Sequence, residues 1–248
     1  YLLNLFFLPK IKNLDMINSD SFNSKTLDFL FEHFGSDKAK KVIDQYPKPI
    51  KRNKKLIDGH GYSEFYEKYL GIYKNIYCNV LELGSFNGNA MAAIFFYLNK
   101  SSIYSGDIYP DIFRYKSKRI KNFFIDCSSE NSINDKIIYN DLNYDIIIED
   151  AGHFLKDQII SLFMFFKKLK SKGVYVVEEL NFPDTREDMR KNCSGPTLKE
   201  ILNKIINKEE FDSLYINEDD KKYFLNHYDS IEIFMGKQGN DIAFIKKK

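Results

Sequence analysis

The sequence contains no tryptophan, only three cysteines and no long apolar run. Cys78, Cys127 and Cys193 are far apart and lack the C-x-x-C spacing of zinc and redox sites, which favours reduced thiols in a cytoplasmic protein. No apolar stretch approaches the roughly 18 residues that a membrane span requires. We therefore expect a cytoplasmic protein without a membrane span.

The sequence also lacks an excess of either charge. The 37 basic and 35 acidic residues give a formal net charge of +2 and are spread along the whole chain. A nucleic-acid-binding protein typically concentrates basic residues in a patch or stripe. We therefore expect no nucleic-acid partner. Hydrophobic residues make up 44% of the 248 residues, which is ample material for a core.

The first 75 residues are predicted to form an N-terminal helical extension or lid. Residues 1–8, YLLNLFFL, contain Asn4 and have neither a basic region before them nor a cleavage site after them. This pattern favours a packed segment over a signal peptide. A helix followed by a loop is predicted for residues 26–48, a lysine-rich surface connector for residues 48–55, and a core-facing helix for residues 63–73.

From residue 79 onwards the sequence alternates between apolar strands and helices. The predicted strands are 79–84, 103–109, 121–127, 144–150 and 173–180, with helices at 89–99 and 158–170. Near-continuous apolar strands separated by helices indicate a parallel sheet that is covered on both faces. Two further strands, 231–236 and 241–246, are so close in sequence that they must form an antiparallel hairpin. The predicted α/β domain spans residues 76–248.

The first strand of this domain leads through a glycine turn, Leu81-Glu82-Leu83-Gly84-Ser85-Phe86-Asn87-Gly88, into a helix. Free N–H groups at such a turn favour a nucleotide-type ligand. Two of the three glycines of the dinucleotide motif G-x-G-x-x-G are replaced here, by Phe86 and Asn89, which disfavours a dinucleotide. Asp107 closes the next strand, where a carboxylate can accept both hydroxyls of a ribose. These features suit a mononucleoside; the alternative is that the glycines only permit the turn.

The segment L-E-L-G-S-F-N-G, followed by Gly106-Asp107, resembles motif I and the ribose-binding acid of class I S-adenosylmethionine-dependent methyltransferases. The resemblance implies a Rossmann-like, seven-stranded, mostly parallel sheet with a C-terminal antiparallel hairpin. Phe86 departs from the family's usual middle glycine. The cofactor-binding residues that the resemblance implies are Glu82, Gly84, Ser85, Gly88, Asp107, Ile108, Asp126, Cys127 and Asp150.

Acidic residues follow the fourth and fifth predicted strands. Asp150 closes the fourth strand, and Glu178 and Glu179 close the fifth. Ligands bind at the carboxyl ends of strands in open α/β sheets. Carboxylates that crowd together there require either a raised pKa or a cation between them. Oxygen ligands without a nearby cysteine favour magnesium over zinc.

His153 follows Asp150 by three residues. A neutral imidazole at this position can remove the proton of a hydroxyl that a divalent ion has made more acidic. In the alternative interpretation, Glu149, Asp150 and His153 only cap the next helix. Glu178 and Glu179 would then point to opposite faces, as strand alternation predicts.

A narrower resemblance rests on the same residues. E-D-A-G-H (149–153) with V-V-E-E-L (176–180) is similar to the D-G-S-H and E-D motifs of the metal-dependent sugar O-methyltransferases of the mycinamicin and macrocin type. F-G-S-D-K-A (34–39) and H-G-Y-S-E-F-Y-E (60–67) are similar to N-terminal elements of that family. The resemblance implies metal ligation by Asp150, Glu178 and Glu179, a catalytic base at His153 with Asp150 beside it, and a homo-oligomer. Glu179 stands where the family usually has aspartate.

The resemblance also implies the substrate class, a sugar or nucleotide-linked sugar. The lysine-, isoleucine- and asparagine-rich composition is typical of an AT-rich genome. It favours a sugar of capsular or surface polysaccharide, with a heptose as one candidate. A polar segment, residues 182–196, is predicted to cover the site, and its Arg186, Arg190 and Lys191 could bind a diphosphate. His60 could line the cofactor entrance as part of a lid, and the favoured alternative is an ordinary surface or capping histidine. The alternatives are a small phenolic or phosphate-bearing acceptor, a non-catalytic cofactor-binding module and, less favoured, an oxidoreductase.

Overall fold

The computed structural model describes residues 10–43, 55–138, 140–190 and 192–248. The predicted N-terminal segment 1–8, nearly all of the lysine-rich connector and Lys191 lie outside the described residues. Within them, two short two-stranded sheets accompany the main sheet. Lys12–Asn13 pairs in parallel with Tyr115–Lys116, and Lys41–Ile43 pairs antiparallel with Leu56–Asp58.

A seven-stranded sheet forms the centre of the fold. Its strands are β1 (Asn79–Leu83), β2 (Ser102–Asp107), β3 (Ile120–Phe124), β4 (Tyr144–Glu149), β5 (Leu169–Val177), β6 (Tyr228–Met235) and β7 (Asp241–Lys247). The strand order is β6-β7-β5-β4-β1-β2-β3. The predicted seven-stranded, mostly parallel sheet is confirmed. So is its antiparallel C-terminal hairpin, because β7 runs antiparallel to both β6 and β5.

Eight α-helices connect and flank the strands in the described residues. They are α1 (Leu27–Phe34), α2 (Ser63–Leu70), α3 (Asn89–Tyr97), α4 (Glu130–Ile133), α5 (Leu155–Phe165), α6 (Phe182–Thr185), α7 (Leu198–Asn207) and α8 (Glu218–His227). The helix predicted at the start of residues 26–48 is α1, which ends at Phe34, and Gly35 follows with φ +77°. A left-handed residue of this kind typically ends a helix.

The boundary between α5 and β5 also differs from the prediction. The helix predicted for residues 158–170 ends at Phe165, a 3-10 turn follows, and β5 already begins at Leu169. Lys247 provides the physical reason, because its Nζ donates to the carbonyl oxygens of Phe166 at 3.1 Å and Leu169 at 2.6 Å. A tertiary contact from the end of the chain thus stabilises the helix terminus. At its other end β5 stops at Val177, so Glu178 and Glu179 lie in the following turn rather than in the strand.

By contacts the chain divides into two compact units. The first comprises the described residues up to Tyr77, together with Ser85–Phe124 and Gly236–Gly239. Its core contains the stacked rings of Phe34 and Phe96, whose centroids are 5.5 Å apart. The two N-terminal sequence motifs meet here through backbone hydrogen bonds, including His60 N to Asp37 O at 2.7 Å. His60 Nε2 lies 3.8 Å from the Asp37 carboxylate.

The second unit comprises Cys78–Gly84, Ile125–Met235 and Asn240–Lys248. It holds β1, β4, β5, β6 and β7, and its core is apolar. In β4 and β5, Ile147 and Tyr175 are in register and fully buried. Helix α5 is buried along most of its length. The domain boundary near residue 75 stays a prediction. Among the described residues, no helix combines the length and apolar character needed to cross a bilayer.

Candidate functional site

Three of the predicted site residues converge in the second unit. His153 Nε2 lies 3.7 Å from Asp150 Oδ1 and 3.5 Å from Glu179 Oε2. One ligand atom from each residue lies within 4.8 Å of the others. The side chains are largely shielded from solvent, with 17%, 20% and 6% exposed for His153, Asp150 and Glu179. The cluster therefore combines two carboxylates and an imidazole in a partly dry environment.

The ends of β4 and β5 place these side chains together. Asp150 follows directly after β4, and its N–H donates to the carbonyl of Leu83 at 2.9 Å. The N–H of Glu178 donates to the carbonyl of Glu149 at 3.0 Å. The first bond extends the parallel pairing of β4 with β1 by one residue past the end of β4. The second extends the parallel pairing of β5 with β4 by one residue past the end of β5. The acidic residues emerge where the carboxyl ends of parallel strands meet, as the sequence predicted.

Two of the three residues have a left-handed backbone. The φ angle is +54° at His153 and +45° at Glu179. This region is uncommon for residues other than glycine, and such residues tend to cluster at functional sites. At Glu179 the sharp change of direction ends the alternation of β5. The objection that Glu178 and Glu179 must point to opposite faces of a strand therefore does not apply.

The geometry of the cluster is compatible with a shared cation. The two Nε2-to-oxygen distances exceed the 2.7–3.2 Å typical of hydrogen bonds. Two atoms bound to one ion at about 2.1 Å can be at most about 4.2 Å apart. Both distances from His153 lie below this limit, and the ligand atoms of Asp150 and Glu179 lie within 4.8 Å of each other. Carboxylate oxygens suit magnesium or manganese, whereas an imidazole can also serve transition metals. The donor set therefore fits a divalent cation.

Glu178 does not belong to the convergent group. It was predicted as a third carboxylate ligand, and it is almost fully buried. Among the described residues, the group whose ligand atoms converge consists of Asp150, His153 and Glu179. The structure thus brings together two of the three predicted carboxylates, with the predicted base beside them.

Glu149 is a further acidic residue of this region, and it is fully buried. Its Oε1 accepts the N–H of Ala151 at 3.3 Å, within the turn that joins Asp150 to His153. Burial raises the pKa of Glu149 to about 8, with the nearby charges of Asp150 and Asp157 adding to the effect. The carboxyl therefore keeps its proton over the lower part of the physiological pH range.

Gly84 lies beside the cluster in the same unit. Its φ is +84°, and a Cβ at this position would lie 2.1 Å from the carbonyl oxygen of Asp150. Only glycine allows the two chain segments to approach so closely. Gly84 thus has a structural role as well as its predicted role in cofactor binding. Glu82, another predicted cofactor residue, is fully buried in β1.

In the first unit, Asp107 organises the turn that begins at Ser85. Its Oδ2 accepts the N–H of Phe86 and its Oδ1 accepts the N–H of Tyr109, each at 2.7 Å. Phe86, where the family has glycine, has a φ of +44°. Gly88 is also left-handed, and a Cβ there would lie 2.4 Å from the Phe113 ring. The turn thus retains a glycine-like path at Phe86.

The remaining predicted cofactor residues have ordinary local roles. Ile108 is half exposed after β2. Asp126 accepts hydrogen bonds from the N–H and the hydroxyl of Ser128, at 2.9 and 2.6 Å, and so holds the turn after β3. Cys127 is buried, and none of the three cysteines forms a disulfide within the described residues. Their part in cofactor binding stays a prediction.

The polar segment 182–196 begins beside the cluster. The ring of Phe182 meets the imidazole of His153 edge-to-face at 5.4 Å. The Arg186 guanidinium lies over the Phe182 ring at 4.9 Å and pairs with Asp188 at 3.1 Å. Arg190 donates to the carbonyls of Pro183 and Gly195, at 3.2 and 3.3 Å, and so joins the two ends of the segment. Arg190 therefore has a structural role here, and its contact with a diphosphate stays a prediction.

Sequence reasoning missed Gln158 in α5, whose amide donates to the carbonyls of Glu178 and Glu179. A signal was present, because Gln158 is a polar residue at the start of an otherwise apolar helical run, IISLFMFF. A polar side chain on a buried helix face normally has a hydrogen-bonding role.

Comparison with protein-family models and with curated proteins found no match. Among solved structures, the chain is similar to "MycE Methyltransferase from the Mycinamycin Biosynthetic Pathway in Complex with Mg and SAH", with a TM-score of 0.64 and 18% identity over 90% of this chain and 55% of that chain. A MycE structure with Mg, SAH and Mycinamycin VI gives the same TM-score and identity, covering 90% of this chain and 54% of that one. The chain thus spans about half the length of MycE. The comparison shows a shared fold, which confirms the predicted Rossmann-like architecture.

Proposed function

We propose that this chain is an S-adenosylmethionine-dependent, divalent-metal-dependent O-methyltransferase that acts on a sugar hydroxyl. The observation that carries the proposal is the convergence of Asp150, His153 and Glu179 at the carboxyl ends of β4 and β5. The fold shared with MycE supports it, because the MycE structures contain Mg and SAH. If these residues only capped a helix or formed a surface ion pair, they would not require a left-handed backbone at two positions of one buried cluster.

For the cofactor, we propose the residues that the sequence motif implied. S-adenosylmethionine would supply an electrophilic methyl group on a positively charged sulfur. Asp107 suits the ribose, because each carboxylate oxygen accepts only one backbone N–H and a carboxylate can accept about four hydrogen bonds. Glu82, Gly84, Ser85 and Gly88 are proposed for the methionine half. Asp126 and Cys127 are proposed for the adenine.

Asp150 and Glu179 would hold the divalent cation, and magnesium is the first candidate because both offer carboxylate oxygens. The bound cation would lower the pKa of the acceptor hydroxyl. Glu178 stays a proposed third ligand, although its carboxylate is outside the convergent group. Phe182, packed against His153, would help to exclude water from the site.

His153 would accept the hydroxyl proton at Nε2. Because the carboxylate oxygens of Asp150 and Glu179 lie 3.7 and 3.5 Å from Nε2, a hydroxyl held at their cation would lie within reach of the ring. The left-handed backbone at His153 fixes the direction of the ring and so supports proton transfer from one defined position.

For the acceptor we propose a nucleotide-activated sugar, with a heptose as one candidate, destined for capsular or surface polysaccharide. The sequence composition and the motif resemblance support this choice. The presence of Mycinamycin VI in a MycE structure concerns MycE alone. Because this chain covers only about half of MycE, its acceptor need not be the same.

The proposal is tested by incubating the protein with labelled S-adenosylmethionine, Mg²⁺ and a panel of nucleotide sugars, beside small phenols and phosphate-bearing metabolites. We expect label on a sugar, loss of transfer with EDTA, and recovery with added Mg²⁺. Transfer to a phenol or a phosphate-bearing metabolite alone would support the alternative acceptor class. Cofactor binding by calorimetry, without any transfer or metal dependence, would support a non-catalytic module instead.

A further inference from the structure

Glu179 is the most strongly constrained residue of the cluster. It is 5% exposed, its φ is +45°, and it lies two residues after the end of β5 at Val177. A glutamate adopts this conformation only where its surroundings hold it there. The direction of its carboxylate therefore depends on whatever fixes the backbone of residues 178–179.

The downstream side of this turn is held by the chain that leads into β7. The N–H of Leu180 donates to the carbonyl of Asp241 at 2.9 Å, and Asn181 Oδ1 accepts the N–H of Asp241 at 2.8 Å. The carbonyl of Glu179 also accepts the N–H of Phe182 at 3.0 Å. These contacts are all made by backbone or by neighbours that belong to the turn itself.

The side chain of Gln158 reaches the backbone of the turn from another element. Gln158 Nε2, in α5, donates to the carbonyl of Glu179 at 3.2 Å and to that of Glu178 at 3.4 Å. Gln158 is fully buried. Since both neighbouring atoms are carbonyl oxygens, only the amide nitrogen can face them.

The oxygen atom of this amide, Gln158 Oε1, argues against a role in packing alone. Within the described part of the chain, Gln158 Oε1 is buried and has no hydrogen-bond partner. A buried acceptor of this kind is unfavourable, and an apolar residue of the same shape would avoid it. The two carbonyls at the end of β5 are the contacts that the amide gains in return.

We infer that Gln158 is a positioning residue for Glu179, acting on the affinity of the site for a divalent cation. Its amide holds the two carbonyls, which keeps the left-handed turn at Glu179 and directs the carboxylate towards Asp150 and His153. Groups that orient metal ligands typically change metal affinity by about 10- to 100-fold when they are removed. This inference rests on the proposed function, because it requires the cluster to bind a cation.

The test compares Gln158→Met, which keeps the length of the side chain but removes the donor, with Ser161→Ala as the matched control. Ser161 lies one turn further along α5, is equally buried and has a hydroxyl without a partner among the described residues. Binding of Mn²⁺ is measured by the electron paramagnetic resonance signal of the free ion, and binding of S-adenosylhomocysteine by calorimetry. We expect about a 10-fold or greater rise in the Mn²⁺ dissociation constant for Gln158→Met. S-adenosylhomocysteine affinity should be unchanged, and Ser161→Ala should resemble the wild type in both.

Gln158→Asn provides a second variant that keeps a buried amide but shortens its reach by one methylene. It should weaken Mn²⁺ binding in the same direction, and it serves alone if Gln158→Met does not fold. Mn²⁺ affinity within twofold of the wild type in a folded variant overturns the inference and leaves the proposed function intact. Equal losses of Mn²⁺ and S-adenosylhomocysteine binding also overturn it, because they indicate a general structural role. A wild-type protein that binds no Mn²⁺ overturns both this inference and the metal part of the proposed function.

Discussion

At the scale of single residues, the candidate site combines chemistry that is visible in the sequence with geometry that is not. Acids after two adjacent parallel strands, and a histidine three residues past one of them, predicted the meeting of Asp150, Glu179 and His153. The left-handed backbone of His153 and Glu179 was not predictable, because only a few per cent of residues other than glycine adopt it. Such conformations cost about 1–3 kcal/mol each. They are stable only because tertiary contacts, such as those of Gln158, hold them.

His153 is the residue whose loss should affect chemistry most selectively. His153→Ala removes the proposed proton acceptor but leaves the predicted cofactor residues in place. We expect methyl transfer to fall at least 100-fold, the lower end of what general bases contribute, with unchanged affinity for S-adenosylhomocysteine. Transfer is measured with labelled cofactor and affinity by calorimetry. A fully active His153→Ala protein would exclude this residue as the base.

Gly84 allows a test of close backbone approach. Gly84→Ala combines a left-handed backbone with a Cβ 2.1 Å from the carbonyl oxygen of Asp150. Gly239 has the same left-handed backbone, but a Cβ there would have no atom within 4 Å. The backbone term alone costs about 1–2 kcal/mol. We expect Gly84→Ala to lose clearly more stability than Gly239→Ala in urea unfolding, and to lose Mn²⁺ binding as Asp150 is displaced. Equal losses in the two variants would show that the turn has room to relax.

Glu149 should make the stability of the metal-free protein depend on pH. Burial raises the pKa of Glu149 to about 8 in the folded chain, from an ordinary value of 4.5. Between these values the unfolded chain releases a proton that the folded chain retains. The contribution to stability is therefore present below pH 4.5, declines as pH rises, and levels off above about pH 8.

Glu149→Gln keeps the shape of the side chain and has no charge to bury. We expect it to remove this part of the pH dependence and to be more stable than the wild type above pH 8, by a few kcal/mol as an order of magnitude. Urea unfolding in EDTA from pH 5 to 9 measures both proteins. Parallel stability curves would contradict the pKa of Glu149 inferred from its burial.

At the scale of elements, the apolar runs predicted all seven strands, whereas their ends depended on distant contacts. The α5–β5 boundary could not be located from local sequence, since Phe165 to Leu169 contains neither glycine nor proline. Lys247, about 80 residues later, satisfies the carbonyls at that helix end. The end of β5 could not be located from the sequence either, because Val177-Glu178-Glu179-Leu180 contains no residue that typically ends a strand. The turn there depends on Gln158 and on the contacts with Asp241.

The segment 182–196 provides an element-scale prediction. Arg190 joins its two ends through the carbonyls of Pro183 and Gly195, whereas Arg186 pairs with Asp188 near the surface. Arg190→Ala should cost about 1–2 kcal/mol, as expected for hydrogen bonds from a charged donor, and should speed protease cleavage within the segment. Arg186→Ala should cost less than about 1 kcal/mol, since exposed ion pairs contribute little. Identical cleavage rates in both variants would show that Arg190 does not hold the segment.

At the scale of the whole molecule, the alternation of strands and helices was enough to predict the fold class and the terminal hairpin. The order of the strands was not contained in that pattern, because it depends on which strands pair across the sheet. Resemblance to a known family supplied the expected architecture, and the similarity to MycE confirms it. Because this chain covers about half of MycE and shares 18% identity with it, the similarity concerns the fold rather than the acceptor.

The central claim is that Asp150 and Glu179 hold one divalent cation beside His153. A crystal of the protein grown with Mn²⁺ and S-adenosylhomocysteine, and measured at the manganese absorption edge, tests it directly. We predict an anomalous difference peak about 2.0–2.6 Å from carboxylate oxygens of both Asp150 and Glu179. A peak bound elsewhere, or an ordered cluster without any peak at saturating Mn²⁺, would contradict the claim.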